Sequence, residues 1–235
     1  MPRVGNDVVD LKEKETFRKS ADERFVQRVF SIEERDRISA AAHPDRVLWI
    51  FWAAKEAAYK VFVKKDPSII FAHKQFHVQP LCETYDCWTY GGFKGRFQVE
   101  HAGNVSDVGI EGNEEYIHAL AREKGLLEKG SFDFFCEKID VEEGLTQRKF
   151  FNERRLEQGS HKVLIGRKES ILARLACIRK IAERLKLDPS RLEILREMTD
   201  DQLGPPFLLI DGRRANMDIS LSHHGCWAAG AYSLS

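Results

Sequence analysis

The residues best suited to chemistry lie in a short apolar stretch, WAAKEAAYK, at residues 52–60. On a helical wheel at about 100° per residue, Glu56 falls between two apolar side chains, Trp52 and Ala53. A buried carboxylate without a partner costs several kcal/mol, so Glu56 must be paired or must bind a metal ion. Lys60, one turn further on, offers a simpler alternative: an i,i+4 ion pair, worth about 0.3 to 0.5 kcal/mol when exposed.

A second carboxylate strengthens the metal interpretation. Asp7 lies in the β-branched stretch VGNDVVDL, where an aspartate goes against strand propensity, and Gly5 would allow another backbone or a ligand to approach closely. Two converging carboxylates suit Mg²⁺, which takes few protein oxygens and completes its shell with water and substrate phosphates. An aspartate that caps a turn at the strand end is the structural alternative.

The segment SLSHHG, residues 220–225, supplies hydroxyl and imidazole groups. Strand alternation places Ser220 and Ser222 on one face, before a turn that begins at His223. Beside a metal site, a hydroxyl and an imidazole suggest contacts to phosphate oxygens. Adjacent histidines in a surface turn are the structural alternative.

The patterns along the first half predict a strand, then helices, then a small sheet. Two capping boxes, at Ser20 and at Ser31, predict helix starts at those serines. A further helix over 46–64 ends before an Asp-Pro pair, since proline disfavours helical geometry in the residue before it. The expected strands that follow are IIFAHKQFHV, CWTY, FKGRFQVEHA and YIHALA.

The same order of elements recurs further along. Residues 123–160 are charge-rich without strand alternation, which indicates a partly helical connector. Residues 161–235 begin with apolar side chains at helical spacing, followed by the strand-like pieces DPSRLEIL, PFLLI and MDISLSHHGCWAAGAYS. The chain is therefore predicted to be α+β, with two similar halves, 1–122 and 161–235, each a helix plus a small antiparallel sheet.

The composition argues against several classes of function. The 37 Lys and Arg residues balance 37 Asp and Glu residues, which argues against broad nucleic-acid binding. No apolar run approaches the roughly 20 residues of a membrane helix. The five scattered cysteines lack CxxC spacing, and the start of the chain lacks signal-peptide features, so a cytoplasmic protein without disulfides or a zinc ribbon is expected.

These motifs together resemble the 4'-phosphopantetheinyl transferase superfamily. Its signatures look like G-x-D on a strand, W/F-x-x-K-E-x-x-x-K on a helix, and a separate S-x-S-H segment. Here they are Gly5-Asn6-Asp7, the stretch 52–60 and the stretch 220–225, and RFVQRVFSIEERDRI is similar to the family's R-F-x-x-R-x-F-[ST]-x-x-E stretch.

The order of the motifs is informative within that resemblance. It resembles the short holo-acyl-carrier-protein synthase type with a long insertion. The two-domain, surfactin-synthetase-activating type has its halves in the opposite order, so this chain also looks like a circular permutation of that type. The permuted two-domain type is favoured, because YIHALA resembles the closing strand of the G-x-D half and a new helix-and-sheet unit follows it. The resemblance implies a monomeric pseudo-dimer with the site between the halves.

The resemblance also implies an activity. The chain would transfer the phosphopantetheine arm of coenzyme A to a serine of an apo acyl or peptidyl carrier protein and release adenosine 3',5'-bisphosphate. Asp7 and Glu56 would hold Mg²⁺, and Glu56 or a metal-adjacent water would take the serine proton. Contacts to coenzyme A and its phosphates would come from polar side chains of both halves: Lys60, Arg167, Lys168, Ser222 and His223.

Two departures from the family pattern keep alternatives open. Val9 stands where the two-domain type usually has an acid, so water or Asp10 would complete the metal site. Pro205 stands where the family carries a lysine that contacts coenzyme A, and Lys64 and Lys65 are candidates to replace it. A non-catalytic module that binds coenzyme A or a nucleotide is one alternative. A structural interaction protein, in which Glu56 only pairs with Lys60, is the other.

The carrier protein that such an enzyme would serve also stays open. Fatty-acid, polyketide and peptide synthesis all use carriers of this kind. No carrier-specific feature in the sequence separates them.

Overall fold

The computed structural model describes residues 2–81, 92–125, 132–140, 168–199 and 202–233. Within these ranges the chain is α+β, as predicted. The helices are α1 (Glu23–Val29), α2 (Ile32–Ala40), α3 (Pro44–Lys65) and α4 (Lys168–Leu185). The strands are β1 (Val4–Asp10), β2 (His77–Pro80), β3 (Phe93–His101), β4 (Asn104–Gly112), β5 (Tyr116–Glu123), β6 (Phe132–Lys138), β7 (Leu192–Thr199), β8 (Gln202–Ile210), β9 (Arg213–Arg214), β10 (Ile219–His224) and β11 (Trp227–Ser233).

The first sheet has five antiparallel strands in the order β1-β5-β4-β3-β2. Helix α3 lies across one face of it, and the alanines and large apolar residues of α3 are almost fully buried against the strands. Gly5 permits this approach, because a Cβ there would lie 2.0 Å from the carbonyl oxygen of Ala57. The close approach expected at Gly5 is therefore made by the backbone of α3.

The two predicted capping boxes had different outcomes. The box at Ser31 is confirmed: its amide donates to Glu34 Oε2 at 2.8 Å, and the Glu34 amide donates to Ser31 Oγ at 3.3 Å. The helix start at Ser20 is wrong, because α1 begins at Glu23 and is capped by Asp22. Aspartate is an equally good N-cap, and Ser20 lies in a short 3-10 turn before it.

The predicted strands of the first sheet are partly confirmed. The stretches FKGRFQVEHA and YIHALA form β3 and β5. Only the end of IIFAHKQFHV is a strand, β2, because a 3-10 turn occupies His73–Gln75. Strand β4 was not predicted, since its sequence NVSDVGIEG carries glycine, serine and aspartate. The piece CWTY lies outside the described residues.

The rest of the described chain forms two further sheets, β10-β11-β6 and β7-β8-β9, packed with α4. The helix predicted for this half is confirmed, and PFLLI and MDISLSHHGCWAAGAYS contain the predicted strands. Only the end of DPSRLEIL is a strand, β7, because a 3-10 turn occupies Pro189–Arg191. The prediction of a partly helical connector is wrong for Phe132–Lys138, which forms β6 and pairs with β11. Charged residues within β6 hid its alternation. The relation of the two halves as a pseudo-dimer stays a prediction.

The second half covers the open edge of β1. Strand β1 pairs with β5 on one side only, so its other amides need acceptors. These amides donate to side chains at or beside β10: Val4 to Asp218 (2.7 Å), Asn6 to Ser220 (3.0 Å) and Asp10 to His224 (2.9 Å). Polar side chains thus join the halves. None of the helices in the described ranges is long and apolar enough to span a membrane.

Candidate active site

Asp7 and Glu56 meet where β1 crosses α3. Asp7 lies on the face of β1 that Gly5 turns towards the helix, and its side chain is 13 % exposed. Glu56 lies one residue before Ala57, the residue that Gly5 contacts, and its side chain is 23 % exposed. The burial of Glu56 expected from the helical wheel is therefore largely observed, with an opening to solvent that a ligand could use.

Lys60 forms an ion pair with Asp7 rather than with Glu56. Its Nζ donates to Asp7 Oδ1 at 3.1 Å and to the carbonyl oxygen of Asn6 at 2.7 Å. Burial raises the pKa of Asp7, while the Lys60 ammonium opposes that rise. Within the described ranges Glu56 and Lys60 form no ion pair, so the simple i,i+4 alternative is not what the structure contains.

Glu56 carries a buried carboxylate with little compensation. Burial, followed by the negative charge of Asp7, raises the pKa of Glu56 to about 7, and Lys60 offsets only part of this. In the described part of the chain Glu56 accepts no hydrogen bond, and His73 Nε2 lies 4.0 Å from its Oε1. Such a carboxylate is poised to bind a cation or to accept a proton near neutral pH.

His73 belongs to this site although its sequence context did not single it out. Its ring stacks on Trp52 with centroids 4.5 Å apart, and its Nε2 is buried without a hydrogen-bond partner in the described residues. Burial and the nearby Lys55 charge lower the pKa of His73, which favours the neutral imidazole. His73 and Trp52 therefore form one wall of the site, beside Glu56.

The donor set fits Mg²⁺ with two protein ligands. Among the described residues no group of three or more His, Cys, Asp or Glu side chains is arranged to hold a metal ion. The carboxylates of Asp7 and Glu56 remain, and Mg²⁺ commonly uses one or two carboxylates together with water and phosphate oxygens. Burial, and then the charge of Asp7, raise the pKa of Glu56, and a bound cation would relieve both effects.

Neither Val9, at the position where the two-domain type has an acid, nor Asp10 adds a ligand to the site. Val9 is 3 % exposed and belongs to the apolar core under α3. Asp10 lies on the opposite face of the strand, where its carboxylate accepts hydrogen bonds from the amides of Lys12 (2.8 Å) and Cys226 (3.0 Å). Asp10 therefore stabilises the turn at the junction of the halves.

Lys64 and Lys65, the candidates to replace the family's lysine at the Pro205 position, have other partners in the structure. Lys64 Nζ donates to Asp218 Oδ2 (2.8 Å) and to the carbonyl oxygens of Val4 and Ile219 (both 2.7 Å). These hydrogen bonds use all three donors of an ammonium group. Lys65 is exposed and donates to Asn104 Oδ1 at 3.3 Å. Lys64 thus ties α3 to the second half.

Ser222 lies on the other side of β1 from Asp7. Its Oγ accepts a hydrogen bond from Asn6 Nδ2 at 2.8 Å, in the buried seam between the halves. His223 is half-buried near the end of β10, on the strand face opposite to Ser222. Ser222 and His223 as contacts to coenzyme A stay predictions. So do Arg167, which lies outside the described residues, and Lys168, which begins α4.

A cavity of about 620 Å³ opens at the junction of the halves, beside Lys64 and Asp218. Gly204, Pro205 and Pro206 of β8 form one wall, and Arg3 and Arg214 contribute two further cations. A cavity of this size is in the range that holds a small molecule or cofactor. Its lining also carries the carboxylates of Glu197 and Asp218, and Lys64, Arg3 and Arg214 each pair with a carboxylate.

The comparison with known families agrees with this geometry. Residues 3–121 match the model of the 4'-phosphopantetheinyl transferase superfamily, which covers β1 to β5 together with α1, α2 and α3. The matched region is about half of the 235-residue chain and contains Asp7, Glu56 and Lys60. The chain belongs to the 4'-phosphopantetheinyl transferase superfamily. A search of the curated proteins finds no match.

Proposed function

We propose that the chain transfers the 4'-phosphopantetheine group of coenzyme A to a serine of an apo acyl or peptidyl carrier protein, with Mg²⁺, and releases adenosine 3',5'-bisphosphate. The observation that supports this most is the buried pair Asp7 and Glu56 within the region that matches the family. Their negative charge is only partly compensated by Lys60, as expected of a site that binds a cation.

The proposed reaction is a phosphoryl transfer. The carrier serine oxygen forms a bond to the phosphorus that bears the pantetheine arm, the bond from that phosphorus to the bridging oxygen breaks, and adenosine 3',5'-bisphosphate leaves. Asp7 and Glu56 would hold Mg²⁺, which when bound neutralises charge on the pyrophosphate. The serine proton would pass to Glu56 Oε or to a neighbouring water.

Lys60 would stabilise the negative charge that develops on the transferred phosphoryl group. Its side chain is 25 % exposed, and its ammonium group donates to the carbonyl oxygen of Asn6 and to Asp7 Oδ1. The third donor is available to a phosphate oxygen. Because Lys60 is fixed before the substrate arrives, its charge needs little reorganisation during the reaction.

The direct experiment is transfer itself. The protein, apo carrier proteins of the fatty-acid, polyketide and peptide types, coenzyme A and Mg²⁺ are incubated, and the carriers are examined by intact mass for a phosphopantetheine adduct. We expect an adduct on at least one carrier and its loss, by more than 100-fold in rate, in Glu56→Gln. Glu100→Gln, at an exposed position on β3, is the matched control. No adduct on any carrier would contradict the proposal.

A second function has one observation in its favour. Val9 leaves the site with two carboxylates, and the chain would then bind coenzyme A without turning it over. Calorimetry separates the two functions, since this module predicts Mg²⁺-dependent binding of coenzyme A with no adduct on any carrier.

A further inference from the structure

His73 is held in place beside Glu56 by contacts that involve no substrate. Its ring stacks on Trp52 with centroids 4.5 Å apart and packs against Phe71 with centroids 4.1 Å apart. Its backbone is fixed as well, because its carbonyl oxygen accepts a hydrogen bond from the fully buried Lys55 at 3.0 Å. The fold itself therefore sets the position of the imidazole.

One nitrogen of this ring lies close to Glu56 without bonding to it. His73 Nε2 is buried, has no hydrogen-bond partner among the described residues, and lies 4.0 Å from Glu56 Oε1. This distance is too long for a hydrogen bond, but a movement of about 1 Å in the Glu56 side chain would bring the two atoms into the usual range. Glu56 accepts no hydrogen bond within the described ranges that would oppose this movement. The contact would give both buried atoms a partner, and a buried polar atom without one is unfavourable.

The chemistry of the pair favours a hydrogen bond from the imidazole to the carboxylate. An ionised carboxylate only accepts hydrogen bonds, so the neutral imidazole that suits it carries its proton on Nε2. Burial and the nearby Lys55 charge lower the pKa of His73, which keeps its ring neutral at neutral pH. A neutral donor orients a carboxylate and leaves its negative charge in place. His73 therefore differs from Lys60, because it adds no charge that would compete with a cation for Glu56.

We propose that His73 is a positioning residue for Glu56. When Glu56 binds the cation, the Nε2–H group of His73 donates to Oε1 and leaves Oε2 free. His73 touches neither the ion nor the substrate and acts through Glu56. Partners that orient a metal-binding side chain in this way commonly contribute about 10- to 100-fold to metal affinity or to activity. This inference rests on the proposed function and adds a residue to the same site.

Two variants of equal side-chain length test the N–H group. His73→Gln supplies an amide that can still donate to Oε1, whereas His73→Met has no donor. At saturating Mg²⁺ we expect kcat for phosphopantetheine transfer to fall about 10- to 100-fold in His73→Met, with KM for the carrier protein unchanged. His73→Gln should keep kcat within about 5-fold of the wild type. His101→Met, at a histidine of β3 that stacks on Phe76, is the matched control and should leave kcat unchanged.

Metal binding gives a second readout that needs no activity. Mn²⁺ takes the same kinds of oxygen ligand as Mg²⁺, and its binding to the protein alone can be followed by electron paramagnetic resonance. We expect the Kd for Mn²⁺ to rise about 10-fold or more in His73→Met and by less than about 3-fold in His73→Gln. His101→Met should leave this Kd unchanged.

Three results would overturn the inference, and they are distinguishable. If the wild type transfers and His73→Gln and His73→Met have equal kcat and equal Kd for Mn²⁺, the donor role is removed and the proposed function stands. No transfer by the wild type removes the proposed function and the inference with it. Unfolding without ligand checks the fold of each variant. If loss of the ring unfolds both, His73→Phe keeps an aromatic ring without the donor and should show the losses expected of His73→Met; wild-type values in His73→Phe would be the third contrary result.

Discussion

Lys55 and Glu56 are neighbours on α3, yet their surroundings differ in one decisive respect. Lys55 is fully buried, and its Nζ donates to Glu34 Oε2 (2.7 Å) and to the carbonyl oxygens of Val29 and His73 (both 3.0 Å). Glu56 accepts no hydrogen bond in the described ranges and faces a second carboxylate, Asp7. Lys55 therefore has a full set of hydrogen-bond partners, whereas Glu56 has none in the described ranges. We infer that Lys55 stabilises the fold and that Glu56 is reserved for a ligand.

The largest effect is expected from breaking the complete cluster. Lys55→Met leaves the Glu34 carboxylate, 3 % exposed, with only its amide donors, so the free energy of unfolding should fall by about 3 to 5 kcal/mol. Urea unfolding measures this. Lys65→Met, at the exposed end of the same helix, should change it by less than about 0.5 kcal/mol. A loss below about 1 kcal/mol for Lys55→Met would show that the cluster is not structural.

His118 adds a third buried ionisable group to the comparison. Burial, and secondarily the Lys60 charge, lower the pKa of His118 from 6.5 to about 4. The unfolded chain therefore takes up this proton first as the pH falls, and the free energy of unfolding should fall by up to about 3 kcal/mol between pH 6.5 and 4. Unfolding at several pH values should show a shallower slope for His118→Leu. An unchanged slope would contradict the buried neutral imidazole. His77→Leu, at an exposed histidine, is the control.

Gly5→Ala tests how β1 and α3 are brought together. The new Cβ would lie 2.0 Å from the carbonyl oxygen of Ala57, so the strand and the helix must move apart. We expect a loss of about 1 to 3 kcal/mol in stability, as for other overpacked sites. The rate of phosphopantetheine transfer should fall by more than the loss of folded protein explains, because Asp7 moves with the strand. Activity that tracks the folded fraction would show that this spacing does not matter for the site. Gly103→Ala is a useful comparison, since a Cβ there meets no atom within 4 Å and only its positive φ of 77° is strained.

The smallest effect is expected on the opposite face of β1. Ser222→Ala removes the acceptor for Asn6 Nδ2 in the buried seam, which should cost about 1 to 2 kcal/mol. If the only role of Ser222 is to join the halves, the apparent affinity for coenzyme A should fall only as far as the fraction of folded protein falls. A selective loss of coenzyme A affinity, with stability unchanged, would instead support the predicted cofactor contact.

Local patterns predicted the parts of the fold that local physics determines. The apolar helix α3, the capping box at Ser31 and the strand around Asp7 all follow from neighbouring residues. Strand β6 did not, because it is stabilised by pairing with β11 about 90 residues later, and its own sequence mixes charges with aromatic residues. Long-range pairing overrides local propensity at such an edge strand.

The candidate site divides in the same way. Asp7 and Glu56 were found because a carboxylate stands out in an apolar pattern. The pairing of Lys60 with Asp7, 53 residues away, was not predicted, since the simplest partner within the helix was Glu56. His73 carries no local signal that separates it from surface residues. Its place beside Glu56 is visible only from its burial and from the neighbours that folding brings to it.

The most direct test of the account is the free energy of unfolding of Glu56→Gln at pH 8 without Mg²⁺. At this pH, above the pKa of about 7, the wild type must keep an ionised Glu56 beside Asp7. Since the pKa of Glu56 in the folded chain lies above its ordinary value of 4.5, the cost of this ionisation to folding grows as the pH rises from 4.5 to about 7 and is fully present at pH 8. The account predicts that Glu56→Gln is as stable as the wild type or more stable, by up to about 3 kcal/mol. A loss of about 1 kcal/mol or more, roughly a fivefold change in the folding equilibrium, would contradict it, because Glu56 would then stabilise the fold as Lys55 does.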